Sequence, residues 1–160
     1  MFTVKVDSEQ VIASLDSLPS RVARSLLVRV NVLAIQLATR VRQKLSGEVL
    51  QVRSGDLRAS IFEQVSQTST SVTGKVGSSG DVKYAAIHEY GGTIPAHDIV
   101  PNKATALAFI WQGKQRFFRR VHIPDVQMPE RSYLRSSLAE MTGDIKSGLQ
   151  EAVQEALDGA

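Results

Sequence analysis

Residues 20–47 read SRVARSLLVRVNVLAIQLATRVRQKLSG. Within them Val22, Leu26, Val30, Leu33, Leu37, Val41 and Leu45 recur at steps of three and four, which sets one continuous apolar face on an α-helix. Arg21, Arg24, Arg42 and Lys44 are read onto the opposite face. Pro19-Ser20 can open this helix and Gly47 can close it, so a helix over about 20–46 is predicted, roughly 38 Å long at the usual rise. A helix that long, apolar on one side, must lie across something flat, and a sheet is the natural partner.

The strands follow directly. Ser60-Ile61-Phe62-Glu63-Gln64-Val65 and Ser71-Val72-Thr73-Gly74-Lys75-Val76 are rich in strand formers and flank a polar stretch, predicting a hairpin over about 60–77. Ala106–Trp111 and Arg116–Ile123, joined by Gln112-Gly113-Lys114-Gln115, predict a second over about 106–123. Between the hairpins, Tyr84–Tyr90 suggests one helical turn, and Gly91-Gly92 with Pro95 a loop. Beyond Pro129 the helical period returns at Tyr133, Leu134, Leu138, Met141, Ile145, Leu149, Val153 and Leu157, predicting a helix over about 131–157 that Gly143 and Gly148 weaken. Upstream, Val4-Lys5-Val6 alternates like a short strand, with Asp7 or Ser8 as a helix cap and Glu9 in the first turn. The predicted class is α+β: a small antiparallel β-sheet with a long N-terminal helix packed on one face and a C-terminal helix. Residues 1–160 are read as a single domain without repeats.

Composition narrows the function. A chain of 160 residues can bury a sizeable core, and with no cysteine it uses neither disulfides nor thiolate metal sites. Met1–Asp7 lacks the pattern of a secretory signal, so export by that route is not expected. The apolar uncharged stretch Val30–Thr39 is about half of what a spanning helix needs, so no membrane partner is expected. Net charge is only +3, but it is unevenly placed. Residues 103–135 hold seven Lys and Arg against two Asp and Glu, whereas residues 136–160 hold one against five. The acidic end reads as a solvated helix face, or as a surface that meets the basic face of a neighbouring copy.

No catalytic constellation emerges. His88-Glu89 resembles half of a zinc-protease helix, but Gly92 stands where the second His is required. His97-Asp98 and His122 with Asp125 fall on separate elements. Ser54-Gly55-Asp56 lacks the flanking glycines of a nucleophile elbow, and Gly74–Gly80 lacks P-loop order. The chain is therefore expected to be no enzyme, with no metal and no cofactor. Arg116-Phe117-Phe118-Arg119-Arg120 interleaves cations and aromatics as single-strand platforms do. Within one strand Phe117 and Phe118 point to opposite faces, so a core residue on each side with arginines at the rim is the expected arrangement.

Three segments resemble one family. Ser54-Gly55-Asp56-Leu57-Arg58-Ala59-Ser60-Ile61 is similar to the "SGxLRxSI" segment of tailed-phage neck and tail-completion proteins, also described as minor tail or virion morphogenesis proteins. Val76-Gly77-Ser78 with Tyr84-Ala85-Ala86-Ile87-His88-Glu89-Tyr90-Gly91-Gly92 resembles their "VGT…YAxIHExGG". Met128-Pro129-Glu130-Arg131-Ser132-Tyr133-Leu134 resembles their "PARPFL", with Glu130 and Ser132 where Ala and Pro are common.

The resemblance implies a structural virion protein at the head–tail interface, completing or capping the head-proximal end of the tail and helping to join tail to head. Implied partners are further copies of itself in a ring, a hexamer to match sixfold tail symmetry, together with tail-tube and head–tail connector proteins. Nonspecific contact with phage DNA is a further expectation. Its place would be the virion tail or neck, and the host cytoplasm during assembly. The alternative is a nucleic-acid-binding domain that uses the Arg116–Arg120 strand.

Within these motifs Ser54 is read as capping a short turn, Gly55 as permitting tight backbone, and Leu57 and Ile61 as pointing inward. Arg58 is expected to pair with Glu89. Gly91-Gly92 is expected to send residues 93–103, with Thr93, Ile94, Pro95, His97, Asp98 and Pro101, outward as an exposed loop that reaches a neighbouring subunit. Tyr84, His88, Pro129, Arg131, Tyr133 and Leu134 complete the positions assigned to fold or assembly.

Overall fold

The computed structural model describes the backbone of residues 8–80 and 82–158, with side chains described from residue 19 onward. The strand expected at Val4–Val6 lies outside the described residues, and the side chain of the expected cap, Asp7 or Ser8, lies outside the described side chains. The elements run in the order α1 (Ser8–Gln43), α2 (Asp56–Ala59), β1 (Ile61–Gln67), β2 (Val72–Ser78), α3 (Ala85–Tyr90), β3 (Gly92–Ile94), β4 (His97–Ile99), β5 (Leu107–Trp111), β6 (Lys114–Phe118), β7 (Val121–Ile123), β8 (Val126–Met128), α4 (Leu134–Glu140) and α5 (Thr142–Asp158). This is the expected α+β class, with a long N-terminal helix, antiparallel strand pairs and helices at the C-terminus. Among the described residues, those up to Ala85 together with those from Ser132 onward form one compact unit, and residues 86–131 a second.

In the first unit, α1 is longer than its apolar period alone predicts. It begins at Ser8, so Pro19 lies inside the helix and removes one i→i−4 hydrogen bond there. Its end falls where Gly47 places it: Gly47 has φ +121, and Lys44–Glu48 form a wide π-type turn closed by Val49 N donating to Lys44 O at 2.9 Å. The apolar face packs on the β1–β2 hairpin, whose register pairs Ile61 with Ser78 and Gln67 with Val72. Gly74 permits the close approach, since a Cβ there would stand 3.0 Å from Val30 Cγ1. Ala38, Val41, Leu45, Leu50, Ile61 and Tyr133 form the buried core.

The C-terminal segment differs from its expected form in two ways. It is two helices, interrupted at Met141, because Ser136, Ser137 and Thr142 each hydrogen-bond a carbonyl four residues back, a habit that bends helices. The buried side of α5 is made of Gly148, Ala152 and Ala156, whereas Leu138 and Leu157 are exposed. Small residues win these positions because α1 comes close: a Cβ on Gly148 would meet Arg29 Cδ at 3.5 Å and Leu33 Cδ1 at 3.6 Å. Ser25 Oγ donates to Ala152 O at 2.7 Å across the same seam.

The length and mean hydropathy of Pro19–Glu48, 1.4, would suffice to cross a membrane. Here that stretch lies against β1, β2, α4 and α5.

Charges lock α1 to its partners. Arg29 meets Glu151 at 3.2 Å, so part of the acidic C-terminal charge is answered within the chain. Lys44, placed by the sequence on the outer face, is buried; its Nζ donates to Glu140 Oε1 at 2.6 Å and to Ser136 Oγ at 2.7 Å. Arg40 donates to Glu140 and also grips Glu48 through two hydrogen bonds. Lys44 first and Arg40 second hold the Glu140 carboxyl below its ordinary range, and Glu48 with Glu140 raises Arg40. A buried ammonium left without its carboxylate is costly, whereas an apolar side chain of similar size can replace such a pair at little loss. Glu140→Gln is therefore expected to lower the denaturation midpoint, and Lys44→Met added to it to recover most of the loss. Equal, additive losses in a double-mutant cycle would show that the two side chains do not interact.

Candidate assembly surface

The first motif builds the bend into β1. Gly55 has φ +87 and opens α2, Ser54 Oγ accepts the Asp56 amide at 3.4 Å, Leu57 packs on the core and Ile61 is buried within it. Ser60 Oγ joins the two strands at their base, donating to Leu57 O at 2.8 Å and lying 2.7 Å from Ser78 Oγ. Tyr133 of the third motif is buried, and its hydroxyl donates to Ala85 O of the second at 3.2 Å; Leu134 packs beside it. Tyr84 is exposed.

In the second unit the other halves of those motifs meet. Arg131 N donates to His88 O at 2.9 Å, and Gly92 pairs with Met128 in the β3–β8 ladder. Gly91 has φ +68, and a Cβ there would stand 2.7 Å from Glu130 N and 3.0 Å from Met128 O. Glycine is required on both counts. Burial, and then the charge of Arg131, push the His88 imidazole below its ordinary pKa. Glu89 is buried, Pro129 is exposed, and Arg58 is exposed on α2 of the first unit. Arg58 and Glu89 thus belong to different units.

Residues 93–103, expected as a loop, carry two strands. Thr93 and Ile94 lie in β3, which pairs with β8; His97, Asp98 and Ile99 lie in β4, which pairs with β7. Both ladders follow one register, and β5–β6 continues outward, so residues 92–128 form a single hairpin arm in three segments. Pro95 and Pro124 fall in the first interruption; neither has an N–H to give to a ladder. The second interruption sets Val100–Ala106, which includes Pro101, against only Arg119 and Arg120. Most of residues 93–103 are exposed, as expected. Asp98 fastens the middle segment: Arg120 Nη2 donates to Asp98 Oδ2, and His122 Nδ1 lies 2.9 Å from Oδ1.

The tip turns at Gln112-Gly113, and every residue from Ile110 to Arg120 is exposed. This corrects the expectation of core aromatics there: a two-stranded ribbon has no layer to bury them. Facing residues share one side of such a ladder, so Leu107, Phe109 and Trp111 share a face with Phe118, Arg116 and Lys114. Phe109 and Phe118 stack with centroids 5.2 Å apart. The other face holds Ala108, Ile110, Gln115 and Phe117 and no charge. Ile110, Trp111 and Phe117 are 76 %, 60 % and 66 % exposed. From Ile99 to Pro124 there is no Asp or Glu, only Lys103, Lys114, Arg116, Arg119 and Arg120. The sequence signalled this patch through that acid-free run, but the cross-strand pairing that sorts it into two faces is read only from the fold.

Among the described residues no group of three His, Asp or Glu side chains is arranged to hold a metal. The features that stand out are apolar and cationic, the character of a binding surface.

Two outcomes test this geometry. Gly91→Ala is expected to cost about 1–3 kcal/mol from backbone strain and the clash with Glu130, seen as faster hydrogen exchange throughout 88–131; unchanged exchange would contradict it. Arg120 first, then His122, lower the Asp98 carboxyl to about 2. Since the folded value lies below the ordinary 3.8, its stabilising effect is full above 3.8 and disappears as pH falls through about 2. A carboxyl-resolved NMR titration should find that value, and a midpoint at the ordinary one would exclude the pairing.

A family model described as the phage virion morphogenesis family matches residues 33–158, from the core half of α1 to the end of α5. No curated protein and no solved structure matches the chain.

Proposed function

The chain belongs to the phage virion morphogenesis family, and from that premise we propose that it acts at the head–tail interface, completing the head-proximal end of the tail and helping to join tail to head. The observation that carries the reading is the family match over residues 33–158 together with an arm whose apolar and cationic tip is left uncovered by its own ribbon. Exposed apolar patches on a soluble protein mark contact sites, and a two-stranded ribbon needs packing to become rigid. The partners proposed are further copies in a ring, a hexamer against sixfold tail symmetry, with tail-tube and connector proteins above and below. The protein works by contact and has no catalytic activity. It resides in the tail or neck of the virion, is assembled in the host cytoplasm, and uses no membrane.

A second reading has one observation in its favour: Phe109 and Trp111 share a face with Lys114 and Arg116, so stacking and phosphate contact could act on one side. Binding to single-stranded oligonucleotides that weakens steeply with salt would support it.

The leading reading predicts that a phage lacking this gene product makes filled heads and separate tails that do not join, and that supplying the protein restores infectious particles. Normal particles without it would overturn the reading.

A further inference from the structure

We propose that the charge-free face of the arm tip, Ala108, Ile110, Gln115 and Phe117, docks into a groove on a second copy of this chain, between its α1, the start of its β2, and its α5. The proposal rests on the reading that copies assemble with one another, and it names the surfaces they use. The groove has a volume of about 770 Å³ and an apolar floor of Leu26, Val30, Val72, Leu149 and Val153, with no charged side chain among its lining residues. The tip offers two strongly exposed apolar side chains, Ile110 and Phe117, on a face that also carries no charge. Seating one against the other removes apolar area from water without desolvating an ion, the arrangement that association favours.

Charge selects this groove over its neighbour. The depression on the other side of the α1–α5 seam is lined by Arg21, Arg24, Arg29 and Glu155, so it would repel a tip that carries Lys114 and Arg116 on the same ladder. The apolar groove instead has a carboxylate at its rim: Gln154, one of its lining residues, donates to Asp158 Oδ1 at 2.7 Å. Asp158 is thereby held where a cation at the edge of the incoming ribbon can meet it. The contact joins two different patches, so repeating it closes a ring or extends a filament.

A nucleic acid satisfies only the other face of the tip, since Ile110 and Phe117 offer nothing to a phosphate. A second copy satisfies the apolar face, with an acidic rim beside it.

The chain has no cysteine, so an introduced thiol reports one position without ambiguity. Gln115→Cys marks the docking face and Gln150→Cys marks the groove; both side chains are exposed. Mixed under mild oxidation at rising concentration, the two single variants are expected to form tip-to-groove heterodimers in preference to tip–tip or groove–groove pairs. Phe117→Ser should reduce that yield by about tenfold, the effect of losing one anchoring ring, and should leave the far-ultraviolet spectrum unchanged. Random pairing, a disulfide that closes only within one chain of the double variant, or cross-linking abolished by oligonucleotides would each overturn the docking. Light scattering separates the failures: copies that associate without tip-to-groove linkage sink the docking alone, and copies that never associate remove the ring as well.

Discussion

The stripe Ala38–Val41–Leu45 on α1, closed by Ile61 from the hairpin and Tyr133 from the returning chain, is the contact on which the rest depends. It is assembled from parts of the sequence nearly a hundred residues apart, and only Tyr133 comes from beyond the arm. The Lys44–Glu140 pair at its edge adds direction to what apolar burial leaves nonspecific. An ammonium that is buried needs one carboxylate in one place, which fixes α4 against the end of α1. Tyr133 ties the same core to Ala85, where the chain passes from the first unit to the second.

The arm follows the opposite logic. Its ladders are short, interrupted where Pro95 and Pro124 supply no donor and again at Val100–Ala106, and fastened by a single ion-paired carboxylate, Asp98. Gly91 sets its base at a point where no side chain fits. A ribbon built this way gains little stability from itself, and its tip carries apolar side chains that a self-sufficient domain would bury. Both facts agree with an element that is completed on contact, in a family whose business is virion assembly.

Much of this was legible in the residues. The step of three and four through Leu33, Leu37, Val41 and Leu45 located α1, and Gly47 its end; the Ser54–Ile61 motif gave the turn, its glycine and its inward side chains. Lys44 was misread because its partners, Ser136 and Glu140, lie 92 and 96 residues away, which no local period can reveal. Gly148 looked like a weakness because the cost of glycine in a helix is local, whereas its reason, the passage of Leu33 and Arg29, is tertiary. The outer hairpin of the arm was read, since β5 and β6 fall within the predicted 106–123, but its two inner ladders were missed for a related cause. Three-residue strands carry too little pattern to be recognised, and Phe117 and Phe118 look like core until their ribbon is seen to lack a second layer.

Cryo-electron microscopy of the mature virion, with the protein carrying a small fused tag, should reveal tag density in a closed ring where the tail meets the head, with the arm ordered against an adjoining subunit. Tag density at the distal end of the tail, within the capsid wall, or absent from the particle would contradict the account.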